Sequence, residues 1–142
     1  MPTGDSFDLE RFVTAQAPVI DAVRAELAAG RKRSHWMWFV FPQFLGLGGS
    51  AMSVRYAIRS IAEAQAYLAH PVLGARLKEH VGLVLSHEGQ SALAILGSPD
   101  DIKFRSSMTL FSQASGDPLF HRALDGFFDG QLDPATLSLL RK

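Results

Sequence analysis

Apolar side chains recur every three or four residues along most of the chain, which is the spacing of one buried face of an α-helix. The first such run covers residues 9–29, where Pro18 is expected to break or kink the helix because its ring clashes with the preceding turn. Later helices are predicted at residues 60–69, 71–85, 90–96, 99–113, 117–128 and 133–140. Seven or eight helices joined by short connections predict an all-α fold.

Several of these helices begin with recognisable capping residues. Ser60 is followed three residues later by Glu63, which is the order of a capping box. Ser98 is a candidate cap in front of a first-turn proline. The pairs Asp117–Pro118 and Asp133–Pro134 show the same order of a capping side chain and a proline.

The segment between the first two helical runs leaves its structure open. Residues 36–41 are apolar at every position, a pattern that does not distinguish a buried helical turn from a buried strand. Gly46, Gly48 and Gly49 then predict a flexible or tightly turning loop.

Composition and charge exclude several classes of function. The 14 basic and 14 acidic side chains cancel, which argues against broad nucleic-acid binding because that needs a basic surface. The absence of cysteine excludes disulfides and thiol chemistry. No apolar run approaches the roughly 18–20 residues that span a bilayer, and the N-terminus has no signal-peptide pattern. We therefore expect one compact, cytoplasmic domain over residues 1–142 that does not associate with membranes, and the sequence leaves its oligomeric state open.

The first candidate for chemistry is the stretch RKRSHWMWFVFPQ, residues 31–43, which places Arg33 and His35 beside Trp36 and Trp38. A guanidinium can hold a phosphate, and an indole ring can stack on a base or a ribose. The alternative is a structural role, because cations suit the last turn of a helix and aromatic side chains commonly fill a small core.

The second candidate is the stretch DDIKFRSSMTLFSQ, residues 100–113. Lys103, Arg105, Ser106 and Ser107 fall within two helical turns, so four groups that can donate to an anion lie close together. The alternative is close helix packing with an ordinary charged surface, in which the serine hydroxyls bond to the local backbone.

Acid–base chemistry requires a carboxylate or a histidine inside a pocket. Glu63 is the candidate catalytic acid because its helix follows the aromatic segment, and a capping role is the alternative. The five histidines lack the spacing of a metal site, and the glycine-containing loop lacks the lysine and serine of a phosphate loop. The sequence therefore indicates no metal and no cofactor.

Three motifs, SHWMWFVFPQ, EAQAYLAHPVLGARL and GSPDDIKFRSSMTLF, resemble the bacterial family called domain of unknown function 1810, also termed the Rv1873-like group. The resemblance covers residues 9–140 and implies a mainly helical fold with no established activity. Some members carry the label calpastatin, but this sequence has none of the disordered repeats of such an inhibitor. The chain is also similar to a helical family that removes ADP-ribose from nucleobases, and that similarity implies Glu63 as the corresponding acid.

Taken together, these patterns predict a pocket between residues 35–43 and the helix that carries Lys103. A small phosphate- or ribose-bearing ligand is the expected partner, held as an anion by the lysine and by Arg105, with further donors from Ser106, Ser107, Arg33 and His35. Trp36 or Trp38 would stack on it, and Glu63 would act as a general base if the ligand is hydrolysed.

A non-enzymatic interaction module is the alternative, and the sequence leaves open whether the protein is an enzyme. In that case both motifs would be structural, and Phe120, Phe127 and Phe128 would be candidates for an exposed apolar patch.

Overall fold

Ten α-helices make up the computed structural model, which describes residues 6–142, and this part of the chain contains no β-strand. The helices are α1 (Glu10–Gln16), α2 (Ile20–Ala28), α3 (Met37–Val40), α4 (Ala51–Arg55), α5 (Ile61–Ala69), α6 (Leu73–Leu85), α7 (Ala92–Leu96), α8 (Asp100–Ala114), α9 (Pro118–Phe128) and α10 (Pro134–Leu140). The all-α prediction is confirmed, but the predicted number of seven or eight helices is too low. None of the helices in this range combines the length and the apolar character needed to cross a lipid bilayer.

The additional helices are short segments that periodicity does not resolve. Residues 36–41, whose pattern left helix and strand open, contain the four-residue helix α3. The glycine-containing loop is followed by α4, which begins where Ser50 Oγ accepts a hydrogen bond of 3.1 Å from Ser53 N. Helical periodicity is recognised over a window of about 11–18 residues, so elements of one turn escape it.

Three of the predicted caps are confirmed, and each satisfies a backbone N–H that has no partner inside its own helix. Ser60 Oγ accepts from the backbone N of Glu63 at 3.0 Å. Asp117 Oδ1 accepts from the second residue of α9 at 2.9 Å, and Asp133 Oδ2 accepts from the third residue of α10 at 3.0 Å. Pro18 also divides the first predicted run, as expected, into α1 and α2.

The predicted cap at Ser98 is wrong. Helix α8 begins one residue later than a cap at this serine requires, and its N-cap residue is Pro99, which offers no side-chain hydrogen bond. The backbone carbonyl of Gly97 instead accepts from Asp101 N at 2.9 Å. A main-chain acceptor therefore takes the place of the serine hydroxyl.

Helix α8 lies at the centre of the domain and contacts α5, α7, α9 and α10. Its core face consists of Phe104, Met108 and Phe111, which are all fully buried. The rings of Phe41 and Phe104 meet edge to face with their centroids 5.0 Å apart, so the aromatic segment packs directly on this helix. The described residues thus share one continuous core and form a single compact domain.

The three phenylalanines considered for an exposed patch belong to this core. Phe120 is fully buried, which excludes it from any surface patch. Phe127 and Phe128 are partly buried, and the centroids of both rings lie 6.3 Å from that of Phe104. Their apolar area therefore stabilises the packing of α9 on α8.

Gly74 lies where α6 passes close to the end of α5. A Cβ atom at this position would lie 2.1 Å from the carbonyl oxygen of Leu68. We expect Gly74→Ala to lower the free energy of unfolding by about 1–3 kcal/mol, because the backbone must shift to accept the methyl group. Urea denaturation would measure this change.

Gly82→Ala in the same helix is the matched control, since apart from its chain neighbours and the backbone of its own helix no atom lies within 4 Å of its added Cβ. Alanine has the higher helix propensity, so this variant should be neutral or more stable by up to about 1 kcal/mol. Equal stability of the two variants would contradict the close approach at Gly74.

Candidate functional site

Trp36, the first predicted stacking residue, is enclosed by the protein. Its side chain is fully buried, and its indole N–H donates to Glu26 Oε1 at 2.9 Å. Lys32 Nζ lies 4.8 Å from the centroid of the ring. The ring therefore has no open face for a ligand, and the structure assigns it to the core.

The carboxylate of Glu26 organises the cationic loop that precedes this tryptophan. It accepts from Arg33 N at 2.8 Å, from Ser34 N at 3.1 Å and from Ser34 Oγ at 2.5 Å, in addition to the indole of Trp36. The donors that an external anion would need are thus already bonded to a side chain of α2. Arg33 and His35 themselves are exposed.

These hydrogen bonds also determine the ionisation of Glu26. Burial alone would raise the pKa of this carboxyl group, but the donors on Ser34, Arg33 and Trp36 outweigh burial and lower the pKa to about 2. The group is therefore ionised at neutral pH, and its charge stabilises the loop conformation.

Lys32 links the aromatic segment to α8. Its side chain is 7% exposed, its Nζ lies 2.8 Å from Asp100 Oδ2, and it donates to the carbonyl oxygen of Ser34. Asp100 lies in the first turn of α8, where a carboxylate also interacts favourably with the helix dipole. This ion pair is a structural connection between the two predicted motifs.

Two of the four predicted anion-binding residues of α8 are bonded within the protein, and a third is buried. Arg105 donates to the carbonyl oxygens of Gln131 at 3.0 Å and Leu132 at 2.9 Å, which ties the helix to the connection before α10. Ser106 Oγ lies 3.1 Å from Asp133 Oδ2 in a buried pair. Ser107 is fully buried, and its hydroxyl makes no hydrogen bond within the described chain.

The two motifs nevertheless meet, at Lys103 and Trp38, which are both among the predicted residues. Lys103 Nζ lies 5.5 Å from the centroid of the Trp38 ring and 4.0 Å from Asp100 Oδ1. A cavity of about 400 Å³ lies beside them, with Gln43 from the aromatic segment in its lining. The other lining residues are Leu47, Gly48, Pro99, Ile102, Lys103, Ser106, Asp133 and Ala135.

Glu63 does point inward, but into a different cavity. Its side chain is 3% exposed, its Oε2 lies 2.8 Å from Arg11 Nη2, and its Oε1 accepts from Arg59 N at 2.9 Å. It lines a cavity of about 460 Å³, which we call the arginine pocket. The lining consists of Ser6, Phe7, Asp8, Arg11, Arg55, Arg59, Ser60 and Glu63.

Arg11 is the structural arginine of this pocket, because each of its five N–H groups has a partner. Besides the Glu63 carboxylate, it reaches four carbonyl oxygens. These belong to Phe7 at 2.7 Å, Asp8 at 2.8 Å, Arg55 at 2.9 Å and Ala57 at 2.9 Å. No donor of Arg11 remains for a ligand.

Arg55 and Arg59 are the available cations of the arginine pocket. Both are exposed, and neither forms an ion pair with residues 6–142. Arg55 donates only to the hydroxyl of Tyr56, at 3.3 Å, and the Arg59 guanidinium makes no hydrogen bond in this range. With two carboxylates against three guanidinium groups, the described lining keeps one net positive charge.

Sequence reasoning missed this pocket because its residues come from three separate segments. Arg11 lies more than forty positions before Arg55, and periodicity contains no information on which helices meet. The usable signal was local: two arginines stand shortly before Ser60, the cap of the helix that carries Glu63.

Two histidines have packing roles. His80 is fully buried and donates from Nδ1 to the carbonyl oxygen of Arg76, and burial lowers its pKa. His87 Nε2 lies 2.9 Å from the carbonyl oxygen of Leu27 at the end of α2. Residues 6–142 contain no group of three or more histidine, aspartate and glutamate side chains arranged to hold a metal ion.

The comparisons with known proteins identify the family. A sequence model described as "Protein of unknown function (DUF1810)" matches residues 6–140, so the chain belongs to this family and the resemblance seen in the sequence is confirmed. The crystal structure of the conserved hypothetical protein Rv1873 from Mycobacterium tuberculosis is 54% identical and aligns with a TM-score of 0.95 over 97% of this chain and 99% of that chain. A search of curated proteins gives no match. Neither description names a ligand or a reaction.

Glu26→Gln tests the role of this carboxylate. The amide replaces a charged acceptor that serves four donors, so we expect the free energy of unfolding to fall by about 1.5–3 kcal/mol near neutral pH. The folded-state pKa of about 2 is below the ordinary value of 4.5, so the charge stabilises the fold above about pH 4.5 and loses that effect as the pH falls towards 2. The difference between wild type and variant, measured by denaturation at several pH values, should therefore shrink in acid.

Glu88→Gln is the control, because the exposed Glu88 side chain makes no hydrogen bond in the described range. A pH-independent difference for Glu26→Gln, equal to that of the control, would contradict the assignment.

Proposed function

We propose that this DUF1810 protein binds a small phosphate-bearing ligand in the arginine pocket, with Arg55 and Arg59 as the side chains that hold the anion. One observation carries the proposal: two exposed guanidinium groups share a concave site without forming an ion pair to any described residue. Like charges gathered in one cavity raise its potential, and an anion lowers that energy on binding.

The chemistry of the lining supports a phosphate group. Guanidinium groups bind phosphate through pairs of parallel hydrogen bonds, which gives the contact both strength and orientation. Ser60 is also the N-cap of α5, so the positive end of this helix dipole faces the same region. The volume of about 460 Å³ lies within the range of small-molecule sites.

The geometry favours binding over hydrolysis. A general base must be able to reach the proton that it removes. The two oxygens of Glu63 already accept hydrogen bonds from Arg11 and from the backbone of Arg59. We therefore assign Glu63 to the wall of the pocket, where it neutralises Arg11 and orders the start of α5.

The cavity beside Lys103 is a second candidate for the same ligand chemistry, at the place predicted from the sequence. It is favoured by the approach of the ammonium group to the Trp38 ring, which puts a cation and an aromatic face together. It contains one cation, and the Asp133 carboxylate lies in the same lining. The arginine pocket, with two available cations, is the stronger site.

A non-enzymatic interaction module is the other candidate function, in which the sequence motifs serve only the fold. The burial of Trp36 and the internal hydrogen bonds of Arg105 and Ser106 favour a structural role for these three side chains. Among residues 6–142, however, the exposed large apolar side chains lie on different elements. They are Leu45, Val54, Val72, Leu93 and Ile102.

Titration with inorganic phosphate and pyrophosphate tests the proposal, with binding measured by calorimetry at constant ionic strength. Hydrogen bonds to charged groups contribute about 1.5–3 kcal/mol each, so Arg59→Gln should weaken binding by about tenfold or more. Arg55→Gln should act in the same direction.

Arg122→Gln is the matched control, because Arg122 is exposed on α9 and lies outside the lining. Lys103→Gln distinguishes the two candidate sites. A loss of binding in this variant alone would show that the ligand binds in the second cavity, beside Lys103. No binding of either probe to the wild-type protein would refute the proposal.

A further inference from the structure

We infer that the phosphate in the arginine pocket is carried by a polyol, so that the ligand class is a sugar phosphate. This inference rests on the proposed function and adds the organic part of the ligand. It comes from the one available acid of the described lining: Asp8 lines the same cavity as Arg55 and Arg59, whereas both oxygens of Glu63 already accept from Arg11 and from the backbone of Arg59.

A carboxylate without a partner would repel a bare anion in the same pocket. An ionised carboxylate only accepts hydrogen bonds, so its natural partner in a ligand is a hydroxyl or another donor. The Asp8 side chain is exposed and makes no hydrogen bond or ion pair within residues 6–142. It is therefore an available acceptor on the wall of a cavity whose available donors are Arg55 and Arg59.

Asp8 is also held in place before any ligand arrives. Its φ of 54° lies in the left-handed region, which aspartate and asparagine tolerate better than most residues. Its carbonyl oxygen and that of Phe7 both accept from Arg11 Nη1, at 2.8 and 2.7 Å. The turn that carries the carboxylate is thus fixed by the same arginine that holds Glu63.

The rest of the lining suits hydroxyl groups better than a nucleobase. Ser6 and Ser60 add two hydroxyls, and Ser60 Oγ keeps its proton free to donate while it accepts from Glu63 N. Phe7 is the only aromatic side chain in the described lining, and it is partly buried. A polyol that carries a phosphate matches both the donors and the acceptors.

The inference is tested by titrating the wild-type protein with inorganic phosphate, ribose 5-phosphate, glucose 6-phosphate and adenosine monophosphate. We expect at least one sugar phosphate to bind about tenfold more tightly than inorganic phosphate, because its hydroxyls add hydrogen bonds to charged acceptors. Asp8→Asn should weaken binding of the sugar phosphate by about tenfold and leave binding of inorganic phosphate unchanged or stronger.

Asn is a suitable replacement because it also tolerates the left-handed conformation, so the turn should be preserved. Asp129→Asn is the matched control, since Asp129 has a φ of 55° and lies outside the pocket. This control makes the same chemical change in the same backbone conformation and should alter neither affinity.

The outcomes separate the two proposals. If no phosphate compound binds, both are wrong. If inorganic phosphate binds and Arg59→Gln weakens it, but sugar phosphates bind no more tightly and Asp8→Asn has no effect, only the sugar phosphate inference is wrong. Tighter binding of adenosine monophosphate than of either sugar phosphate would overturn the inference in favour of a nucleotide.

Discussion

A partly buried guanidinium with no unused N–H group holds together the three segments that form the arginine pocket. The side chain of Arg11 is 10% exposed, and a cation at that depth is stable only when its donors are satisfied. Its partners lie in residues 7–8, in residues 55–57 and at Glu63, which are far apart along the chain. The hydrogen bonds of this one side chain therefore fix the positions of three segments. The arginine pocket is the cavity that lies among these segments.

A cation can bind a ligand only if its N–H donors are not already bonded within the protein. Lys32 and Arg105 stand in the most basic and polar stretches of the sequence, yet their donors bind Asp100 and backbone carbonyls. Arg59 stands in an unremarkable stretch and has a guanidinium without a partner in the described chain. Counting partners donor by donor thus distinguishes cations that are already bonded within the protein from those that are not, which counting charges does not do.

Much of the fold was predictable because its signals are local. The caps at Ser60, Asp117 and Asp133 use bonds between residues two or three positions apart, and such bonds form in the same way in any tertiary context. The predicted meeting of the two motifs was partly correct, since Lys103 approaches Trp38 while Trp36 is enclosed. The one-turn helices were missed because a single turn has too few positions to display a period.

The sequence by itself determined that the chain is helical, where most helices begin and which faces are apolar, because side-chain spacing and capping act over a few residues. Only the tertiary structure decided which polar groups find partners. The Glu26 carboxylate accepts hydrogen bonds from the loop that had suggested an anion site, and Glu63 faces arginines rather than Lys103. Such pairings join residues that are distant in sequence, and their energies depend on burial and distance, which no local pattern contains.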